Sequence, residues 1–134
     1  MAKQEHEFFD VSSIEWTQCE GKVSGLMERI LSFDPVEGTA TRILKFDPLV
    51  DTTPNGIQKH SFWEEVYILE GSIYDKVLEK TFSKGMYACR PPGMPHGPWY
   101  SPDGCITFEV RYISRDRQPE AKKSRSARKT LNLP

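Results

Sequence analysis

Gln58, His60, Glu64 and His96 are the side chains whose types and spacing suit them to hold a metal ion. In Gln58-Lys59-His60-Ser61-Phe62-Trp63-Glu64, an extended backbone puts positions 58 and 60 on one face, and two donors two apart on a strand can grip one ion. In Pro91-Pro92-Gly93-Met94-Pro95-His96, the prolines fix φ and the glycine permits a positive φ, so the turn delivers His96 to a defined point. Two imidazoles and one carboxylate on one face of an octahedron leave positions for substrate and dioxygen on Fe(II), the ion this set favours. Zn(II) accepts the same ligands and, with an open position, activates water or holds a barrel closed; Mn(II) and Ni(II) are further candidates. Gln58 is a neutral oxygen donor that binds weakly, holds a water, or acts as a structural hydrogen-bonder.

Glu65 competes with Glu64 as the carboxylate, and parity with the histidines favours Glu64. Phe62, Trp99, Arg42 and Phe108 are the candidate substrate-pocket residues. The aromatics either clasp a flat or apolar substrate or fill core, and Arg42 either meets an anionic substrate or pairs with an acid. Arg111 is expected to face outward if Phe108 and Val110 are core. His6 is read as an ordinary surface histidine. No GxSxG, P-loop, GxGxxG or CxxC pattern is present, and Ser61 cannot pair with His60, because adjacent strand residues face apart.

The elements that must position these ligands are strands. Turn signals recur at short intervals, from Asp34-Pro35 and Glu37-Gly38 through Pro54-Asn55-Gly56 and Glu70-Gly71-Ser72 to Pro102-Asp103-Gly104, which leaves little room for helices. Strands are predicted over 39–46, 65–69, 86–89 and 106–112. Residues 23–31 also carry a helical spacing but read as strand beside such neighbours. Tyr67 and Leu69 make the second face of the Glu64 strand apolar, so a subunit interface, or Phe8, Phe9, Ile14 and Trp16 of the N-terminal segment, is expected to cover it. A homodimer is the predicted assembly.

A chain of 134 residues with 37% hydrophobic content suits one domain with one small core. It divides into an N-terminal arm (1–22), a barrel (23–113) and a basic tail (114–134). The tail carries seven Lys or Arg against two acids, although the net charge of the whole chain is only −1. With no aromatic residue to stack on a base, the tail reads as solvated rather than as a nucleic-acid contact. Cys19, Cys89 and Cys105 leave an odd thiol and read as ordinary buried thiols, not a disulfide framework. No apolar run is long enough to span a membrane, and the first residues lack the pattern of a signal peptide, so a soluble cytoplasmic protein with a small-molecule ligand is expected.

The spacings resemble those of the cupin family, whose motifs read G-x5-HxH-x3-E-x6-G and G-x5-PxG-x2-H-x3-N. His60, Glu64 and Gly71 match the first, and Gly85, Pro91, Gly93 and His96 match the second. Thr52, Gln58 and Tyr100 stand where a glycine, a histidine and an asparagine are usual. Within the family, residues 23–113 resemble the ChrR-type cupin domain and the acetylacetone-cleaving dioxygenases, through Glu28-Arg29-Ile30-Leu31-Ser32-Phe33-Asp34, Glu64-Glu65-Val66-Tyr67-Ile68-Leu69-Glu70-Gly71 and Arg90-Pro91-Pro92-Gly93. The resemblance implies an all-β, single-domain jelly-roll barrel, a double-stranded β-helix. It also implies a non-haem Fe(II) dioxygenase-like enzyme acting on a small dicarbonyl or enolisable substrate. The alternatives are a non-catalytic metal- or ligand-sensing module and a metal-free barrel.

Overall fold

The computed structural model describes residues 3–114. The strands are β1 (Thr17–Gln18), β2 (Leu26–Asp34), β3 (Thr39–Phe46), β4 (Val50–Asp51), β5 (Trp63–Asp75), β6 (Lys80–Ser83), β7 (Tyr87–Arg90), β8 (Trp99–Ser101) and β9 (Cys105–Tyr112), with short 3-10 turns at Val11–Ser13 and Thr53–Asn55. All pairings are antiparallel, in the order β1-β2-β3-β9-β5-β8-β4, with β6 and β7 also on β5. The result is the predicted all-β jelly-roll barrel.

Strand β5 makes the closure. Its first half lies between β7 and β9, and its second half between β6 and β8, so one strand belongs to both sheets. It turns the corner through a bulge between Ile68 and Glu70 and through Gly71, which has φ +74°. A Cβ at Gly71 would stand 2.1 Å from the Gly104 carbonyl oxygen, so only glycine lets the two backbones approach this closely. The sequence-based strand at 65–69 is therefore the centre of a longer one. Residues 23–31 are strand as expected, shifted to 26–34.

Cross-strand register stacks the interior in layers. Phe46 pairs with Cys105, and Leu44 with Thr107, which pairs in turn with Ile68; these levels belong to the apolar end, where Val23, Val50 and Ile73 also pack. The next layer joins Arg42, Glu109, Val66 and Ala88, and the one above joins Arg111, Glu64 and Arg90. The barrel thus changes from apolar to charged along its length.

The arm adds β1 to the edge of β2, and the Trp16 ring contacts two cations, the Arg29 guanidinium at 4.2 Å and the Lys45 ammonium at 4.5 Å. Arg29 Nε also donates to the Ile14 carbonyl. Trp16 and Ile14 therefore cover part of β2 and β3 rather than the second face of the Glu64 strand, where Tyr67 stays 45% exposed, and Phe8 and Phe9 are themselves exposed. Apart from Ser114, the basic tail lies outside the described residues.

Candidate metal centre

His60, Glu64 and His96 converge inside the charged end of the barrel. The two histidine segments are tied together by backbone. Gln58 and His96 exchange both hydrogen bonds of an antiparallel bridge, at 2.8 and 3.0 Å, and the Gly93 amide donates to the His60 carbonyl at 2.8 Å. The Pro-Gly turn is therefore clamped onto the strand entry that carries His60. This pairing is why two distant motifs meet.

The His60 and His96 Nε2 atoms are 3.1 Å apart, and Glu64 Oε1 lies 4.0 and 3.8 Å from them. Two nitrogens on one ion at about 2.1 Å are separated by about 3.0–3.4 Å, so the imidazoles already span one edge of a coordination polyhedron. The carboxylate reaches the same ion with a shift of about half an ångström on that scale. The Met94 carbonyl, 3.0 Å from His96 Nδ1, accepts a hydrogen bond from that nitrogen, which fixes the proton on Nδ1 and leaves Nε2 as the electron-pair donor. Burial holds both histidines below their ordinary value of 6.5. Glu64 is held below its ordinary 4.5, because the Arg111 and Arg90 guanidinia outweigh the burial that opposes ionisation. Near neutral pH all three are in the protonation state that a metal requires, so the residues present fit a divalent ion.

Glu64 faces Arg111 on one neighbouring strand and Arg90 on the other, accepting from Arg111 Nε at 3.0 Å on Oε2 and from an Arg90 terminal nitrogen at 3.1 Å on Oε1. Each arginine also sits over an aromatic ring, Arg111 over Phe62 at 5.0 Å and Arg90 over Trp99 at 5.1 Å. Each ring in turn contacts a histidine: Phe62 stacks on His60 with centroids 4.5 Å apart, and Trp99 tilts against His96 at 5.5 Å. Two matching half-cages therefore meet at one carboxylate. Trp99 is fixed from behind, both of its backbone groups bonding to Thr52. One layer deeper, Arg42 bridges Glu28 at 2.8 Å and Glu109 at 2.9 Å, and the Thr107 hydroxyl donates to the other Glu109 oxygen.

A cavity of about 520 Å³ opens on this cluster, within the usual range for small-molecule sites. Of the sequence-derived residues, Gln58, His60, Glu64, His96, Arg42 and Trp99 line it. Gln58 lies beside His96, but its amide nitrogen donates to the Asn55 carbonyl at 2.8 Å, which anchors one end of the side chain in the backbone. Phe62 serves as a stacking platform behind His60 rather than as cavity wall.

Two expectations need correction. Phe108 lies on the outer face of the barrel, 36% exposed and opposite Ile43 and Tyr67, and takes no part in the cavity. Arg111 faces inward, because on β9 the polar set Thr107, Glu109 and Arg111 is the inner one. Glu65 is settled as the outward carboxylate and accepts from the Tyr87 hydroxyl. Sequence reasoning passed over Arg90, Glu28 and Glu109 as site residues. The available signal was their strand parity, since Glu109 and Arg111 alternate with an apolar set.

A sequence model of the ChrR cupin-like domain matches residues 4–112. Among solved structures, the chain resembles an RmlC-like cupin from Shewanella frigidimarina (TM-score 0.65, 22% identity, covering 87% of this chain and 97% of that one). It also resembles an acetylacetone dioxygenase from Acinetobacter johnsonii (0.65, 15%, 81% and 74%). A third resemblance is to a Rhodobacter sphaeroides complex of SigE with the anti-sigma ChrR (0.56, 15%, 77% of this chain and 51% of that one). These likenesses establish shared fold. No curated protein matches the chain. With the family match covering the barrel and both ligand segments, the chain belongs to the ChrR cupin-like domain family of cupins.

Proposed function

We propose that this chain is a metal-dependent, dioxygenase-like cupin that holds one divalent ion, preferentially Fe(II), on His60, Glu64 and His96. Its substrate is a small dicarbonyl or enolisable compound held in the 520 Å³ cavity. The observation that carries this reading is the meeting of two neutral imidazoles and one ionised carboxylate within 4.0 Å of one another in that cavity. The bound ion supplies a Lewis acid for an enol or carbonyl oxygen and, as iron, a partner for dioxygen. Gln58 is a neutral fourth donor from the same wall.

The surrounding charges favour an anionic substrate form. Arg42, Arg90 and Arg111 balance Glu28, Glu64 and Glu109 one for one, so a divalent ion leaves the cluster positive by two. An enolate offsets part of that charge, and burial strengthens the attraction. Trp99 offers a flat wall, and Phe62 keeps the His60 ring in its plane. The dicarbonyl class itself is suggested by the acetylacetone dioxygenase likeness.

Elemental analysis of protein purified without added metal, then anaerobic Fe(II) loading and an oxygen-consumption screen over β-dicarbonyls, tests the reading. One metal per chain and substrate-dependent oxygen uptake are expected. Metal uptake without turnover would favour the second reading, a sensing module. That reading is supported by the occupation of both Glu64 oxygens by arginines, which suits a structural ion, and by the ChrR likeness.

The outer face of β9 and β5 supports a homodimer. Phe108, Tyr67 and Tyr87 adjoin in register and are 36%, 45% and 60% exposed. An apolar stripe of this kind is ordinarily covered.

A further inference from the structure

Behind the His96 imidazole lies a second cavity of about 490 Å³. Its walls are Ile57, Val77, Leu78, Phe82, Met86 and Met94, supplied by the turn between β5 and β6, the β6–β7 hairpin and the loops on either side of the metal centre. Ile57, Val77 and Leu78 are each more than half exposed. It is therefore an apolar recess whose lining nothing in the chain covers among the described residues. Besides Tyr87, whose hydroxyl donates to Glu65, the polar residues lining it are Asp75, Arg90 and His96.

Of these three, only Arg90 has donors to spare. One Asp75 oxygen is occupied by the Val77 and Leu78 amides, each at 2.9 Å, and His96 Nδ1 is held by the Met94 carbonyl. Arg90 gives one terminal nitrogen to Glu64 and has no other acceptor among the described residues. Among the described residues no buried side-chain nitrogen or oxygen lacks a partner, so the remaining Arg90 nitrogens reach open space. Val66, Ile73, Arg90 and His96 line both cavities and form their common wall, of which the guanidinium and the imidazole are the polar part.

We propose that the second cavity binds the apolar chain of an amphipathic carboxylate or enolate whose anionic head lies at Arg90, on the wall shared with the metal centre. The inference rests on the proposed function for the position of the head, and it gives that site a substrate class: an acid or enolate with an extended apolar group. A recess rather than a protruding stripe suits a ligand chain better than a flat sheet face. The volume lies within the range of ligand pockets, and apolar walls with a few polar groups are their usual composition. The bidentate fork of a guanidinium matches a carboxylate.

Calorimetric titration of the full chain with propionate, hexanoate and octanoate tests this. Affinity should rise roughly three- to fourfold per added methylene, the factor for moving CH₂ groups out of water. Octanoate should bind at least about tenfold more tightly than 1-octanol, which lacks the charge for Arg90. In Leu78→Gln and Val77→Gln, both at exposed positions away from the metal ligands, the gain from hexanoate to octanoate should shrink while propionate binding and metal content stay unchanged. A flat response to chain length, equal binding of octanol and octanoate, or a gain that survives in both variants would overturn the proposal. So would a Leu78→Gln protein that loses its dimer but binds octanoate as before, since the recess would then belong to a second copy. The titration is run on metal-free and metal-loaded protein: a chain-length gain without metal uptake would sink the metal reading alone, and metal uptake without the gain would sink this one alone.

Discussion

At the charged end of the barrel, the two faces of the sheet formed by β3, β9 and β5 invert the arrangement of the apolar end, where Leu44, Phe46, Ile68 and Cys105 face inward. The inner face presents Arg42, Thr107, Glu109, Arg111 and Glu64, while the outer face presents Ile43, Phe108, Val110 and Tyr67. The inner charges persist in low dielectric because each is matched: Glu64 takes two arginines, Arg42 takes two glutamates, and among the described residues no buried side-chain polar atom is left alone. The outer face has no such constraint. What decides which side is inside is therefore pairing around a functional cavity, not hydrophobicity residue by residue.

The comparison breaks most visibly at Glu64. Glu64→Ala leaves Arg90 and Arg111 facing each other without an anion, and a loss of about 3–5 kcal/mol is expected in denaturant unfolding, as for other buried pairs stripped of one partner. A loss below about 1 kcal/mol would mean that water, not Glu64, solvates those guanidinia.

Acid should act in the same direction. His60 and His96 titrate below 6.5 in the folded state, so the unfolded chain binds protons first as pH falls through that value. The contribution of Glu64, whose pKa is lowered, is present above 4.5 and is lost as pH falls through its folded value. Metal-free protein should show steady stability above pH 7 and a decline in midpoint from about pH 6.5 downward. A midpoint that rises on acidification would contradict the buried, neutral assignment of the two imidazoles.

On the outer face, Phe108→Ser should cost the isolated fold only about 1 kcal/mol, since the ring is already 36% exposed, yet shift the proposed dimer to monomer in sedimentation. An unchanged sedimentation profile would remove the stripe from the interface. The smallest effect is chemical. Cys19 and Cys105 are buried, with their thiols pushed up to about 12, while Cys89 is exposed on the outer side of β7. One thiol should react with a disulfide reagent at pH 8 in the folded protein and three after unfolding. Rapid labelling of two would show that one face has been assigned to the wrong side.

Much of this was legible in the sequence, and the omissions share a cause. Strands β3 and β9 follow from alternation, and the ligands from two local spacings, because both signals lie within a few residues of one another. Strand β5 was read short because Glu70-Gly71-Ser72 looks like a turn. Its role as a corner depends on Gly104, which is distant in sequence. Arg90 and Arg111 escaped for the same reason: each meets Glu64 only across a strand pair, and no local pattern encodes that register. Alternation on β9 separated its two faces correctly, but it carries no information on which one lines the barrel.

The central claim is that His60, Glu64 and His96 act as one metal site. Calorimetric titration of metal-stripped protein with Zn(II), which accepts the same ligands without oxidation, addresses it most directly. One ion per chain is predicted for the unmodified protein, with affinity lower by about 100-fold or more in His60→Ala and in His96→Ala. Undiminished binding in the two variants, or no uptake by the unmodified protein, would contradict it.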